Sequence, residues 1–528
     1  MSNASWRRIA GWAAASAALF LGISTVAPSA AHAQSSEPSL TALLAKYKRA
    51  VSDPGVRRET SLESSGTLAG AGLDGTFHVW IAGANSRADQ ALGPRRETTL
   101  NLGERAYLIN SDGNVRELHG ILLRRERTER FIESGDFALA PQRCTLRGTG
   151  LAAGQTVYVL DVRAAGGETQ TVSLAASSGL PVRVAYDDDD GRTVIDLSDW
   201  RTVEGRRYPF SAVASDGDHA FDQVQHTEWV VADKPIDPTV FALPPSRHID
   251  MAGPETIPLI SREGHLFVPV SLNGKTYQFL LDSGAQSILI DAAVARDAGL
   301  VSSGALEVSG AQRTGGLQVA KLDALGVGDG TLRNLVVTTL DLGASTGGAF
   351  HVDGILGYPF FAEALVMLDP AAASMTFGPP GSFEPPGTRV QLETDRALPE
   401  AMLRLNGNVS APFVIDTGNA AELLLYHPFL ETHPGIVPFT LTSRRSYGIG
   451  GAASSYRTSL DQLDIGGLTI YHAETDVMQA TRGAFADRFD AGNVGLAVLK
   501  NFRFTFDESN NAMYVARGGA FDDGRNRP

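Results

Sequence analysis

Two acidic residues, Asp282 and Asp416, each end a short apolar run, and each is followed by a small hydroxyl residue and a glycine. The two strings are Phe279-Leu280-Leu281-Asp282-Ser283-Gly284 and Phe413-Val414-Ile415-Asp416-Thr417-Gly418. Two carboxylates brought close together cannot both ionise cheaply, so they hold one proton between them and titrate as a unit. A pair in that state can take a proton from a bound water while giving one to a leaving atom. That is hydrolysis without a metal or a covalent nucleophile. The glycines fit this use, because they tolerate dihedral angles closed to other residues and let the backbone approach closely.

The surroundings of the two acids repeat in register. Leu272-Asn273-Gly274 forms a turn ending eight residues before Asp282, and Leu405-Asn406-Gly407 one ending nine before Asp416. Leu322-Asp323-x-Leu325-x-Val327-Gly328 is echoed by Leu460-Asp461-x-Leu463-x-Ile465-Gly466. Ile355-Leu356-Gly357 and Asn493-Val494-Gly495 come next, with glycines 75 and 79 residues after their acids. Twelve residues further stand Asp369 and Asp507, and six beyond those Met375 and Met513. Shared landmarks at near-constant spacing mark an internal duplication.

Over roughly residues 255–518 this pattern resembles the retropepsin-like and pepsin-like aspartic proteases. The resemblance implies that Asp282 and Asp416 are catalytic and activate the water between them. It implies that Ser283, Gly284, Thr417 and Gly418 support the active loops, with the two hydroxyls reaching across to the opposite loop's backbone. It also places the Ile355-Leu356-Gly357 strand beneath the first loop. Tyr447-Gly448-Ile449-Gly450-Gly451 is the candidate flap, with Val308-Ser309-Gly310 as its first-lobe counterpart and an ordinary hairpin turn as the alternative reading. Three residues depart from the family pattern. Asn493 stands where an apolar residue is usual, and Gln286 and Asn419 where small or hydroxyl residues are common. Asp353 and Glu422 lie close enough in sequence to the motifs to shift the pair's titration.

The chain has 528 residues, enough for about three domains, and its 43% hydrophobic content is ordinary for globular protein. Residues 1–33 read as a cleavable secretory signal: Arg7-Arg8, an apolar stretch from Ile9 to Ala27, then Ala31-His32-Ala33. No later stretch reaches the roughly 18 apolar residues of a membrane helix. Periplasmic or secreted localisation follows. The single cysteine, Cys144, cannot form an internal disulfide and reads as a buried thiol. A net charge of −14 argues against nucleic acid or anionic membranes as partners. No His-Glu-x-x-His string or paired cysteines occur, so no metal or other cofactor is implied.

Residues 34–246 have another character. Ser39 to Ala50 reads as an amphipathic helix with Leu40, Leu43, Leu44 and Tyr47 on one face. Short alternating runs follow (75–81, 156–162, 169–174, 181–186, 193–197 and 227–231), predicting a meandering antiparallel sheet. One helix and consecutive strands resemble the periplasmic lipoprotein carriers of the LolA/LolB kind, whose half-barrel would hold an acyl chain or an extended peptide. The Arg124-Arg125-Glu126-Arg127 and Arg130 cluster reads as a solvated face, and Asp187 to Asp190 as a charged hairpin turn.

The expected fold is therefore mainly β: two pseudo-symmetric aspartic-protease-like lobes, 255–380 and 387–518, preceded by a half-barrel-like antiparallel domain. Six or seven strands are expected in each lobe. The implied function is an exported aspartic endopeptidase acting on a peptide or protein substrate. It would be a monomer, because one chain carries both half-sites. The alternative is a non-catalytic periplasmic carrier of hydrophobic or peptide ligands on a relic protease fold.

Overall fold

Thirteen strands between residues 61 and 232 form one antiparallel sheet built as two meanders. The first runs outward from Ser61–Gly70 to Val115–Glu117, and the second from Cys144–Ala152 to Gln223–Ala232. They join where Ser61–Gly70 pairs with Gln223–Ala232, from Leu62 opposite Ala232 to Gly70 opposite Gln223. The computed structural model describes residues 38–56, 60–189, 191–310, 313–345, 351–438, 442–519 and 521–525. The 1–33 signal-like segment lies outside the described residues.

The helix Leu40–Val51 starts at Ser39, whose hydroxyl accepts the Ala42 N–H, and buries Leu43, Leu44 and Tyr47 against the sheet. A second helix, Ile121–Glu133, stands where the basic cluster was expected to be a solvated face. Its Arg125 is buried: it pairs with Asp188 at 3.2 Å and lies over the rings of Tyr186 and Phe489. Of the acids expected in a charged hairpin turn, Asp188 is buried too, while Asp190 lies outside the described residues. A charge is stable there only because its partner is buried with it. Cys144 is buried, with its thiol donating to the Phe137 carbonyl.

Two lobes follow with the same pairing plan. In the first, Lys275–Leu281 runs parallel to Gly354–Leu356, and Leu289–Asp291 runs parallel to Gly330–Leu340. In the second, Val409–Asp416 runs parallel to Gly492–Gly495, and Leu423–Leu425 to Leu468–Met478. The Asn-Gly turns correspond as well: Asn273 and Asn406 both take left-handed φ, of 47° and 48°. Their amides donate to the carbonyls of Ala298 and Ile436.

The lobe sheets have eight and seven strands, and a third layer ties them together. In that layer Glu255–Pro258, Ser374–Gly378 and Leu365–Asp369 meet Phe502–Asp507, Ala512–Arg517 and Thr388–Glu393 in one continuous run. The join is Leu365–Asp369 against Phe502–Asp507, with Val366 opposite Phe506. The repeated landmarks Asp369, Asp507, Met375 and Met513 all lie in this layer, the methionines fully buried.

The N-terminal sheet is welded to the lobes. One apolar cluster runs from Leu43, Leu68 and Ala214 into Phe267, Leu289 and Ile355 of the first lobe. Asp395 of the second lobe caps the Ile121–Glu133 helix, accepting from the N–H groups of His119 (2.8 Å), Gly120 (2.7 Å) and Leu122 (3.1 Å). That helix has no side-chain cap of its own and no acid in its first turn. A carboxylate reaching in from 275 residues away therefore satisfies its free donors and its dipole.

Candidate active site

Asp282 and Asp416 end equivalent strands and meet between the lobes. The Asp282 N–H donates to the Leu356 carbonyl, so the Gly354–Leu356 strand holds the first loop from below. The loops then lock each other. The Ser283 hydroxyl donates to the Ile415 carbonyl (2.6 Å) and accepts the Thr417 N–H (3.0 Å). Reciprocally, the Thr417 hydroxyl donates to the Leu281 carbonyl (2.9 Å) and accepts the Ser283 N–H (3.0 Å). Both hydroxyl residues are buried, so breaking any of these bonds would strand a polar group.

The glycines are required by contact. A Cβ on Gly284 would lie 2.6 Å from the Asp416 carboxyl carbon, and one on Gly418 2.2 Å from that of Asp282. Each also donates its N–H to its own loop's acid at 2.9 Å.

Burial, the charge of Asp416 and a hydrogen bond between the two carboxyls hold the Asp282 carboxyl well above the usual range. Burial raises Asp416 as well, but the Asn419 and Gly418 N–H groups and the bond from Asp282 pull it back. Both carboxyls are thus held above the ordinary carboxylate range and titrate as one pair that shares a proton.

Asn493 is the residue the sequence left unexplained. Its amide donates to Asp416 Oδ2 at 2.9 Å and accepts from Asn419 Nδ2 at 2.7 Å. Two departures from the family pattern form a single relay onto one carboxylate. The third, Gln286, donates to the Arg396 carbonyl at 2.6 Å and so bridges the lobes. Asp353 and Glu422 are engaged elsewhere, accepting the N–H groups of Gln278 and Glu474.

The strands Thr442–Gly448 and Gly451–Ile465 form a hairpin whose tip reaches the pair, with Tyr447 opposite Ala452. Gly448 and Ile449 line two cavities that both touch Asp282, Gly418 and Asn419, one of about 300 Å³ and one of about 290 Å³. The Gly450 N–H donates to the Ser345 carbonyl. Gly310, in the first-lobe loop, packs so tightly on Ile449 that a Cβ there would lie 2.3 Å from its carbonyl oxygen.

The larger cavity also has a wall that sequence reasoning missed. Leu92, Ala214 and Gln223 of the N-terminal sheet, with Phe221 from the short turn before its last strand, line it together with both acids. No local signal marks these residues, because only the docking of the sheet turns them toward the site. Among the described residues no cluster of His, Cys, Asp or Glu is arranged to hold a metal ion, and no helix is long and apolar enough to cross a membrane.

A family model described as aspartyl protease matches residues 268–360, so this stretch is aspartyl-protease-like. A comparison with curated proteins returns no match. Among solved structures the chain is similar to a DUF1329 family protein from Desulfovibrio piger, at 12% identity and a TM-score of 0.29. It is also similar to a putative outer membrane lipoprotein-sorting protein domain from Vibrio parahaemolyticus (12%, 0.27) and a LolA superfamily protein from Nitrosomonas europaea (13%, 0.27). Each likeness covers 38% of this chain and 95–96% of the other.

Proposed function

We propose that the chain is an exported aspartic endopeptidase that hydrolyses peptide bonds with a water held between Asp282 and Asp416. The observation that carries this reading is the pair itself: two half-buried carboxyls on loops locked by reciprocal bonds of buried hydroxyls, at two cavities beneath one flap tip. In the proposed step Asp416 takes a proton from the water as the oxygen attacks the peptide carbonyl. Asp282 gives its proton to the carbonyl oxygen; the gem-diol then collapses as Asp416 passes the water's proton to the leaving nitrogen and Asp282 takes back a hydroxyl proton, breaking the C–N bond and restoring the pair. No cofactor enters. The flap tip Gly448-Ile449-Gly450 closes over the substrate and keeps bulk water out.

The working units are the N-terminal domain (34–246) and the lobes 255–380 and 387–518, acting as a monomer after removal of residues 1–33. Mass spectrometry of a mixed peptide library incubated with residues 34–528 tests the proposal. New termini are expected with the wild type and none with Asp282→Asn. Equal cleavage by both proteins would refute it.

A further inference from the structure

On the inner face of the N-terminal sheet a row of polar side chains is buried without partners. Gln223, Gln225 and Thr227 alternate along one strand, at 6%, 1% and 7% exposure, and Ser64 on the adjoining strand is fully buried. Gln223 Oε1, both amide atoms of Gln225, Thr227 Oγ1 and Ser64 Oγ make no hydrogen bond. The neighbouring strand sets Gly70 opposite Gln223 and Gly66 opposite Thr227, so no side chain from it covers those two positions. An orphaned buried polar group is destabilising, and native proteins hold only a few, each calling for a cause. Here they lie in one row, and the row ends in the cavity that contains Asp282 and Asp416, which Gln223 lines.

Residues two apart on a strand are spaced by about 6.8 Å. An extended polypeptide shows an N–H and C=O pair to one side at that same interval. A hydrocarbon chain offers no such groups and would leave every amide in the row unsatisfied. We infer that Gln223, Gln225 and Thr227 form a binding strip for the main chain of an extended peptide, leading into the dyad cavity. The N-terminal domain is then a third wall of the substrate site. The inference deepens the peptidase reading in one respect, that the strip leads to the proposed catalytic pair.

The strip makes a paired prediction that a merely structural role does not. Replacing Gln225 by leucine removes two orphaned polar atoms at similar volume, so Tm rises in either case. If the strip binds peptide, Gln223→Leu/Gln225→Leu also weakens binding of N-acetyl hexapeptide amides to the Asp282→Asn protein, measured by calorimetry, at least tenfold. The near-isosteric Thr227→Val, which guards against misfolding in the double variant, weakens it about threefold or more. In the active protein the same changes raise KM more than they lower kcat. Unchanged peptide affinity with a raised Tm overturns the inference, as does palmitate binding that the leucine variants tighten, or no peptide binding by the unmodified strip. Cleavage that survives the leucine variants with KM unchanged sinks the strip and leaves the peptidase standing. Hexapeptide binding lost in the leucine variants of a protein that cleaves nothing does the reverse.

Discussion

Replacing Asn493 by leucine restores the apolar residue usual at that place in the resembling family and removes one hydrogen bond to a carboxylate. The amide donates to Asp416 Oδ2 at 2.9 Å inside a buried site. A bond to a charged group contributes about 1.5–3 kcal/mol, and one pKa unit corresponds to about 1.36 kcal/mol. Losing the bond therefore raises the first ionisation of the pair by about one to two units. The sign follows from the charge: the bond favours ionised Asp416, so its removal favours the protonated form. The second ionisation of the pair moves less, because the carboxylate that the amide contacts already carries most of the first charge. In a pH profile of kcat/KM with a cleaved peptide, the acid limb should shift up by about one to two units while the alkaline limb moves less. An acid limb that does not move, or one that moves down, would refute the relay from Asn419 through Asn493 to Asp416.

Gly418→Ala sets a methyl group against the Asp282 carboxyl. It should cut kcat at least about a hundredfold, since small misplacements of reacting groups are costly, while circular dichroism shows a folded chain; retained kcat contradicts the packing. Asp395→Ala leaves the Ile121–Glu133 helix uncapped at the seam with the second lobe. A cost of about 3–5 kcal/mol is expected, seen as a lower urea midpoint and faster proteolysis of the N-terminal sheet. Burial holds Glu363 up at about 7 and Glu508 at about 8. Both lie above the roughly 4.3 of an unfolded chain. The folded state therefore binds more protons and loses stability as pH rises through those values. Tm should fall between about pH 5 and pH 8, less steeply in Glu508→Gln, and a rising Tm would show the sign to be wrong.

The lobes were legible because each landmark occurs twice in register, and the same Asn-Gly turns and glycines recur where the same backbone angles are needed. The layer joining the lobes was not, since its two local hairpins meet across more than a hundred residues and carry no local mark of each other. Arg125 and Asp188 misled for a related reason. Charges in sequence read as solvated, and only the approach of Phe489 and Tyr186 shows that they are buried together. Asn493 did leave a trace, as a polar residue in an apolar slot, but its partner Asp416 lies 77 residues away. The alternation of Gln223, Gln225 and Thr227 was equally visible, yet alternation does not say which face of a strand is inside.

The most direct test of the central claim compares Asp282→Asn, Asp416→Asn and the double variant on one cleaved peptide at the optimum pH. Groups that act as a unit lose nearly everything on the first substitution. The account predicts that each single variant falls at least about a thousandfold and that the double variant falls no further. A single variant that keeps substantial activity, or losses that multiply in the double variant, would contradict a shared proton between these two carboxyls.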